Sequence, residues 1–167
     1  MPHAYPRPLL QRDEWTSLNG VWDFALDPTA CWGAPRDVTW DRRIEVPFAP
    51  ETVRSGIHET GFNDACWYRR TIEPPPLGDG ECLMLRFGAV DYHADIWIDG
   101  QHIGEHEGGY TPFAFDIASY ARDGETATLQ GDAGQDTVSG DEDDELFNVE
   151  VLDLAPAASR PDRVMAA

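Results

Sequence analysis

Residues 88–116 read GAVDYHADIWIDGQHIGEHEGGYTPFAFD, and their pattern predicts two antiparallel strands joined by a tight turn. Ile96 and Ile98 fall on one face of a period-two ladder, with acidic and indole side chains on the other, as in a half-buried strand. Asp99-Gly100 then suits a type I′ turn, because glycine adopts a positive φ without a Cβ clash and aspartate tolerates it. We therefore expect a hairpin, followed by a glycine-hinged loop and a short aromatic strand.

Short strands with the same alternation precede this hairpin. Residues 22–26 and 83–87 each place apolar side chains at every second position, and turn-forming proline or glycine follows each of them. Half-apolar strands must bury one face against a second sheet, so the predicted fold is all-β, an antiparallel β-sandwich. The side chains predicted to fill its core are Trp22, Phe24, Leu83, Leu85, Phe87, Ile96 and Ile98.

The composition is strongly acidic and argues against a nucleic-acid partner. The 167 residues include 31 acidic and 12 basic side chains, which gives a net charge of −19, and every basic residue is an arginine. Binding of phosphates needs basic patches, so no nucleic acid is expected. Two explanations of the charge remain open: a codon bias towards arginine together with an acidic tail, or adaptation to a salt-accumulating organism.

The cysteines and the hydropathy pattern indicate a cytoplasmic protein. Cys31, Cys66 and Cys82 are an odd number without a C-x-x-C spacing, so neither a disulfide framework nor a zinc ribbon is predicted. No signal-peptide pattern opens the chain, and no apolar run approaches the ~18 residues of a membrane-spanning helix. We expect no membrane association, no metal and no cofactor.

Several stretches resemble a known family. They are LNGVWDF at 18–24, WYRR at 67–70 and WIDGQHIGEHEGGYTPFAFD at 97–116. Together they are similar to the N-terminal sugar-binding domain of glycoside hydrolase family 2, whose members include β-galactosidases, β-glucuronidases and β-mannosidases. The resemblance implies a jelly roll, and it fades near Thr128.

The same resemblance implies that this chain has no catalytic residues. The catalytic glutamates of the family lie in a C-terminal barrel, to which nothing in this sequence corresponds. The predicted function is therefore that of a non-catalytic sugar-binding or accessory domain for β-galactosides or β-glucuronides. Its expected partners are a β-glycoside and either a catalytic domain or a second copy of the chain. Two alternatives stay open: one chain of a split glycosidase that needs a separate barrel, and a structural remnant without a ligand.

Two pairs of residues in the hairpin suggest possible chemistry. Glu105 and Glu107 would lie about 6.8 Å apart on one side of a strand, not far from the ~5 to 5.5 Å of a retaining carboxylate pair. No apolar pocket around them can be inferred, so they are expected to be surface carboxylates. His102 and His106 would lie roughly 13 Å apart on a strand, too far for one metal ion. His106 is instead expected to make a structural hydrogen bond.

Aromatic residues supply the candidate sugar site. An aromatic face suits the C–H side of a pyranose, and neighbouring arginine or aspartate side chains bind hydroxyl groups. The competing interpretation, open for each aromatic residue, is that it belongs to the core. The candidate carbohydrate-binding residues are Trp67, Tyr68, Arg70, Asp91, Tyr92 and Tyr110.

The expected division of the chain follows from changes in composition. Residues 1–12 are rich in proline and are predicted to form an extended arm. Residues 13–129 are predicted to form the jelly-roll domain. An interruption of the closing strand is expected after that, so residues 130–144 are predicted to form an acidic mobile loop. The alternating segment 145–154 is predicted to add an edge strand, and residues 155–167 to form a disordered tail.

Overall fold

A computed structural model describes residues 15–120, 127–134 and 147–156. These residues form ten β-strands and two single-turn 3-10 helices, and no α-helix occurs among them. In this part of the chain, no helix has the length and apolar character needed to cross a membrane. The strands are β1 (Trp15–Thr16), β2 (Gly20–Asp27), β3 (Arg42–Val46), β4 (Ala65–Ile72), β5 (Glu81–Val90), β6 (His93–Ile98), β7 (Gln101–Glu107), β8 (Phe113–Asp116), β9 (Ala127–Gly134) and β10 (Phe147–Pro156).

The strands form two antiparallel sheets. The smaller sheet has four strands in the order β1-β10-β5-β8, and the larger has six in the order β3-β2-β4-β9-β6-β7. Neighbours such as β4 and β9 are far apart in sequence, so the connections cross between the sheets. This arrangement confirms the predicted all-β jelly-roll sandwich.

The core lies between the sheets and is built from alternate residues of their strands. All the side chains predicted to fill it are buried, and none is more than 3% exposed. Phe24 and Tyr68 pack edge to face with ring centroids 5.1 Å apart, and Phe87 stacks on Phe113 at 4.6 Å. Aromatic pairs in these geometries stabilise the fold beyond the burial of their apolar area.

The predicted hairpin joins β6 to β7. Asp99 and Gly100 have φ values of 50° and 77°, as a type I′ turn requires. The Asp99 Oδ1 atom accepts a hydrogen bond from the Thr128 N–H at 2.8 Å, and the Gly100 N–H donates to Gln130 Oε1 at 3.1 Å. The turn is therefore attached to β9, the neighbour of β6 in the larger sheet.

The closing strand is longer than predicted. β9 contains eight residues and pairs with β4 on one side and β6 on the other. The predicted loop, residues 130–144, therefore begins too early, because residues 130–134 belong to β9. Gly131 lies between Tyr68 of β4 and an isoleucine of β6, and ladder hydrogen bonds on both sides outweigh the low strand propensity of glycine. Residues 135–146, which include the rest of the predicted loop, lie outside the described residues.

The last described strand is an inner strand. β10 overlaps the segment 145–154 that was predicted to form an edge strand. It pairs with β5 along its length and with β1 on its other side, so the edge position belongs to β1 and that part of the prediction is wrong. The first two residues of the predicted tail, 155–167, lie in this strand. The rest of that tail and the predicted arm, residues 1–12, lie outside the described residues.

A second apolar cluster lies on the outer face of the larger sheet, beneath the loop 28–41 that connects β2 to β3. Trp67 and Trp97 stack there with ring centroids 5.2 Å apart. The loop contributes Val38 and two partly buried tryptophans to this cluster. The larger sheet is therefore covered on both faces at this position.

Asp27 holds the start of the loop. Its carboxylate accepts hydrogen bonds from the backbone N–H groups of Cys31 and Trp32, each at 2.9 Å. Burial raises the pKa of Asp27, but the hydrogen bonds from Trp32 and Cys31 lower it more, so that the net pKa lies below the ordinary aspartate value. The loop is thus anchored by an ionised carboxylate.

Candidate functional site

Two of the predicted sugar-binding residues lie in the interior. Tyr68 is 0% exposed and points into the sandwich core, where burial raises the pKa of its phenol. Trp67 is 1% exposed and lies on the opposite side of β4, beneath the loop 28–41. Neither ring offers a face to a sugar, so the prediction is corrected for both. The alternation within one strand does not reveal that a loop covers its outer side.

Arg70 has a structural role. Its Nη1 atom donates hydrogen bonds to the carbonyl oxygens of Leu18 at 2.5 Å and Asn19 at 3.2 Å. Burial lowers the pKa of Arg70, and the charge of Glu45 raises it in part. Because these hydrogen bonds join β4 to the turn between β1 and β2, the guanidinium supports the fold rather than a ligand.

The other three predicted residues, Asp91, Tyr92 and Tyr110, come together at one end of the sandwich. Asp91 and Tyr92 connect β5 to β6, and Tyr110 lies in the loop between β7 and β8. The Gly108 N–H donates a hydrogen bond to the Tyr92 carbonyl oxygen at 2.7 Å, which joins the two connections. We name the surface formed by Asp91, Tyr92, Glu107 and Tyr110 the tyrosine surface.

Specific contacts position the tyrosine surface. Tyr92 is 48% exposed and Tyr110 is 93% exposed. The Tyr92 hydroxyl donates a short hydrogen bond to Glu107 Oε1. Gly109 packs closely against Asp91. A Cβ at position 109 would overlap the Asp91 carboxylate, so only glycine fits there. The surface thus combines aromatic rings with carboxylates, which suit the apolar face and the hydroxyl groups of a sugar.

The hairpin histidines make separate contacts. His106 Nε2 lies 3.0 Å from Thr111 Oγ1, and its ring stacks on Phe113 at 4.1 Å, in agreement with the structural role predicted for it. His102 Nε2 lies 2.6 Å from Asp95 Oδ1. Among the residues that the structure describes, no group of three or more His, Cys, Asp or Glu side chains is arranged to hold a metal ion.

The sequence analysis missed a cleft of about 550 Å³ on the outer face of the larger sheet. It lies towards the end of the sandwich opposite the tyrosine surface, where the loop 28–41, the tip of the β6–β7 hairpin and strands β4 and β9 meet. The alternation of β4 places Arg69 on the same face as Trp67, but no local pattern predicts where a loop folds back. Its polar and aromatic lining residues are Arg36, Trp40, Arg69, Asp99, Thr128 and Gln130.

Comparison with known proteins shows the family to which this chain belongs. The sequence profile of the sugar-binding domain of glycosyl hydrolases family 2 matches residues 15–131. The chain belongs to this family. Among curated relatives of this family 2 domain is the β-glucuronidase of Streptococcus agalactiae, 32% identical over 108 residues, which cover 64% of this chain and 17% of that protein. The β-glucuronidase of Felis catus is 31% identical, with 75% of this chain and 21% of that protein covered.

Solved structures agree with this assignment. The β-glucuronidase of Faecalibacterium prausnitzii superposes on the family 2 domain with a TM-score of 0.60 and 31% identity. The superposed region covers 78% of this chain and 22% of the β-glucuronidase. The β-glucuronidase of an uncultured Clostridium species gives a TM-score of 0.61 at 27% identity, over 75% of this chain and 23% of that one. The chain therefore spans about a fifth of the length of these relatives.

Proposed function

We propose that this family 2 domain binds carbohydrate and does not itself cleave a glycosidic bond. The match to a sugar-binding domain over residues 15–131 is the observation that carries this proposal. The tyrosine surface supports it with suitable chemistry: Tyr110 offers an exposed ring to the C–H face of a pyranose, and Asp91 and Glu107 offer acceptors to its hydroxyl groups.

The hairpin carboxylates do not have the environment of a hydrolytic pair. Glu105 and Glu107 are both exposed, and Glu107 Oε1 accepts a hydrogen bond from the Tyr92 hydroxyl. A retaining glycosidase places two carboxyl groups about 5 to 5.5 Å apart, and an apolar pocket raises the pKa of one of them. We therefore assign hydrolysis to a separate catalytic domain, which is the proposed partner of this one.

The relatives indicate which sugars to test first. The similar proteins named above are β-glucuronidases, and a further relative, from Thermoanaerobacter pseudethanolicus, is a β-galactosidase that is 34% identical over 52% of this chain and 12% of that protein. A β-linked galactoside or glucuronide is therefore the ligand class that we propose. A neutral galactoside is the simpler probe of the tyrosine surface, because carboxylates there would repel an anionic sugar.

Calorimetric titration with methyl β-D-galactoside tests the binding. We expect saturable binding that weakens by up to about tenfold in Tyr110→Ala, since an aromatic contact contributes roughly 0.5–1.5 kcal/mol. Val21→Ala is a matched control, because Val21 is 54% exposed and lies at the other end of the larger sheet. No saturable binding of any β-glycoside would contradict the proposed function.

Nitrophenyl β-glycosides test the second half of the proposal. The chain alone should release no nitrophenol, because positioning without an acid and a nucleophile does not replace them. Turnover that disappears in Glu105→Gln or Glu107→Gln would show that the hairpin is catalytic and would contradict the assignment of hydrolysis to another domain.

A further inference from the structure

Two residues of the cleft lining, Arg69 and Gln130, belong to a row of side chains across the outer face of the larger sheet. Asp23, Arg69, Gln130 and Trp97 lie directly opposite one another on β2, β4, β9 and β6, so they share one face of the larger sheet. Asp23 Oδ2 accepts hydrogen bonds from Arg69 Nε at 3.1 Å and Nη2 at 2.8 Å. These bonds use only part of the donor set of the guanidinium, which also stacks 4.5 Å from the centroid of the Trp40 ring. Arg69 is therefore held in position, and it retains further N–H groups that can donate to a ligand.

The hairpin forms a rigid wall of the cleft. Asp99 Oδ1 accepts a hydrogen bond from the Thr128 N–H, and Gln130 Oε1 accepts one from the Gly100 N–H. Because the amide oxygen of Gln130 is engaged in this way, its orientation is set and its amino group is the end that donates to other molecules. Polar groups that are held before a ligand arrives lose less entropy when it binds.

The loop 28–41 forms the facing wall and brings a second arginine. Arg36 has a side chain that is 86% exposed, and its Nε lies 3.8 Å from the Asp37 carboxylate, a distance too long for a hydrogen bond. Trp40 is partly buried against the outer apolar cluster. The anchor at Asp27 holds the start of this loop, so the wall has a defined position over the sheet.

We propose that this cleft is a second carbohydrate site and that its ligand is a pyranoside with a carboxylate, such as a β-D-glucuronide. The proposal rests on the proposed function, since it names a sugar class and a site for the same domain. The volume of the cleft, about 550 Å³, falls within the range of small-ligand sites. The guanidinium groups of Arg36 and Arg69 suit a carboxylate, and the Gln130 amide suits hydroxyl groups.

The two arginines of the cleft lining belong to a chain that is otherwise strongly acidic. The chain carries 31 acidic residues against 12 arginines, so its field repels anions in general. The cleft lining nevertheless contains two arginines, and the carboxylates beside them are Asp99 in the lining, Asp23 paired with Arg69, and Asp37 near Arg36. Charge is therefore close to balanced at this place, so an anionic ligand is repelled less here than by the strongly acidic chain as a whole.

The test compares methyl β-D-glucuronide with methyl β-D-glucoside, which differ by a carboxylate in place of a hydroxymethyl group. Both are titrated into the intact chain, and binding is followed by the backbone amide NMR signals of Gly100, Thr128 and Gln130. We expect the glucuronide to shift these signals and to bind roughly tenfold more tightly than the glucoside, as one charge-assisted contact predicts. Its affinity should fall between about 0.05 and 0.5 M KCl, while that of the glucoside should not.

Matched arginine variants locate the carboxylate. Arg36→Gln should weaken glucuronide binding roughly tenfold and leave the glucoside unchanged. Arg54→Gln, at an arginine outside the cleft lining, should change neither. Arg36 is so exposed that its replacement should leave the fold intact, which the unchanged signals of core residues would verify.

The outcomes separate this inference from the proposed function. If methyl β-D-galactoside binds at the tyrosine surface but the glucuronide shows no advantage over the glucoside, the cleft proposal is overturned and the proposed function stands. Equal loss of glucuronide binding in Arg36→Gln and Arg54→Gln would also overturn it, because a diffuse charge effect would then suffice. If no glycoside binds at either place, both proposals fail together.

Discussion

The inner and outer faces of the larger sheet differ in what holds their side chains in place. On the inner face, Phe24, Tyr68 and Ile96 are positioned by close packing against the smaller sheet. On the outer face, Asp23 and Arg69 are positioned by directed hydrogen bonds that leave other donors facing solvent. The difference indicates that stability depends mainly on the inner face, whereas the outer face presents the polar side chains of the proposed cleft.

The largest expected effect is on the inner face. Tyr68→Ala should destabilise the domain by about 3–5 kcal/mol, since it removes a fully buried ring and leaves a cavity beside Phe24. Tyr110→Ala, at a tyrosine that is 93% exposed, should change the free energy of unfolding by less than about 0.5 kcal/mol. Urea denaturation of both variants measures the contrast, and equal losses would contradict the dominant role of the packed inner face in stability.

Two glycines give a sharper version of the same contrast. Gly104 lies opposite Ile96 on the inner side of β7, where a Cβ would overlap the ring of Phe115. Gly104→Ala should therefore cost about 1–3 kcal/mol through overpacking. Gly33 lies in the loop over the outer face with open space around the Cβ position, so Gly33→Ala should be nearly neutral. Comparable melting temperatures for the two variants would refute the packing argument.

A smaller effect is expected at Asp27, which anchors the loop on the outer face. Its pKa in the folded state is lowered, so the carboxylate contributes stability above its unfolded pKa of about 3.9 and loses that contribution as the pH falls through the folded value. Asp27→Asn should cost about 1 kcal/mol at neutral pH, and the difference from the unmodified protein should shrink below about pH 4.

Denaturation curves from neutral to acidic pH measure the Asp27 effect. Asp64→Asn, at an exposed aspartate, serves as the control and should change the free energy of unfolding at neutral pH by less than about 0.5 kcal/mol. A difference for Asp27→Asn that grows as the pH falls would have the wrong sign and would exclude an ionised anchor.

The smallest expected effect concerns the charge rather than a single contact. Repulsion within a chain of net charge −19 should weaken as salt is added, because the Debye length falls to about 3 Å at 1 M. The melting temperature should therefore rise by a few degrees between about 0.15 and 1 M KCl. Scanning calorimetry measures this shift, and a flat response would favour codon bias as the explanation of the acidic composition.

Periodicity predicted the inner face well and the outer face poorly. The hairpin at Asp99-Gly100 and the buried side chains of β2, β5 and β6 follow from local alternation and turn chemistry, which are properties of neighbouring residues. The burial of Trp67 and the cleft beside Arg69 depend on where the loop 28–41 folds back, which local pattern does not encode. β9 was misjudged for a similar reason: Gly131 weakens a strand in isolation, but two flanking strands supply its partners.

The pairing of β1 with β10 determines how this domain can be joined to other chains. Trp15 lies opposite Asp153 in an antiparallel pair, so the beginning of the first described strand and the end of the last meet at the same end of the smaller sheet. The beginning of β1 and the end of β10 lie roughly 10 Å apart. They are about one strand spacing apart across the sheet and three extended residues apart along it. A circular permutant that links these two strand ends and opens another loop should therefore retain the sandwich, because the link has only a short distance to span.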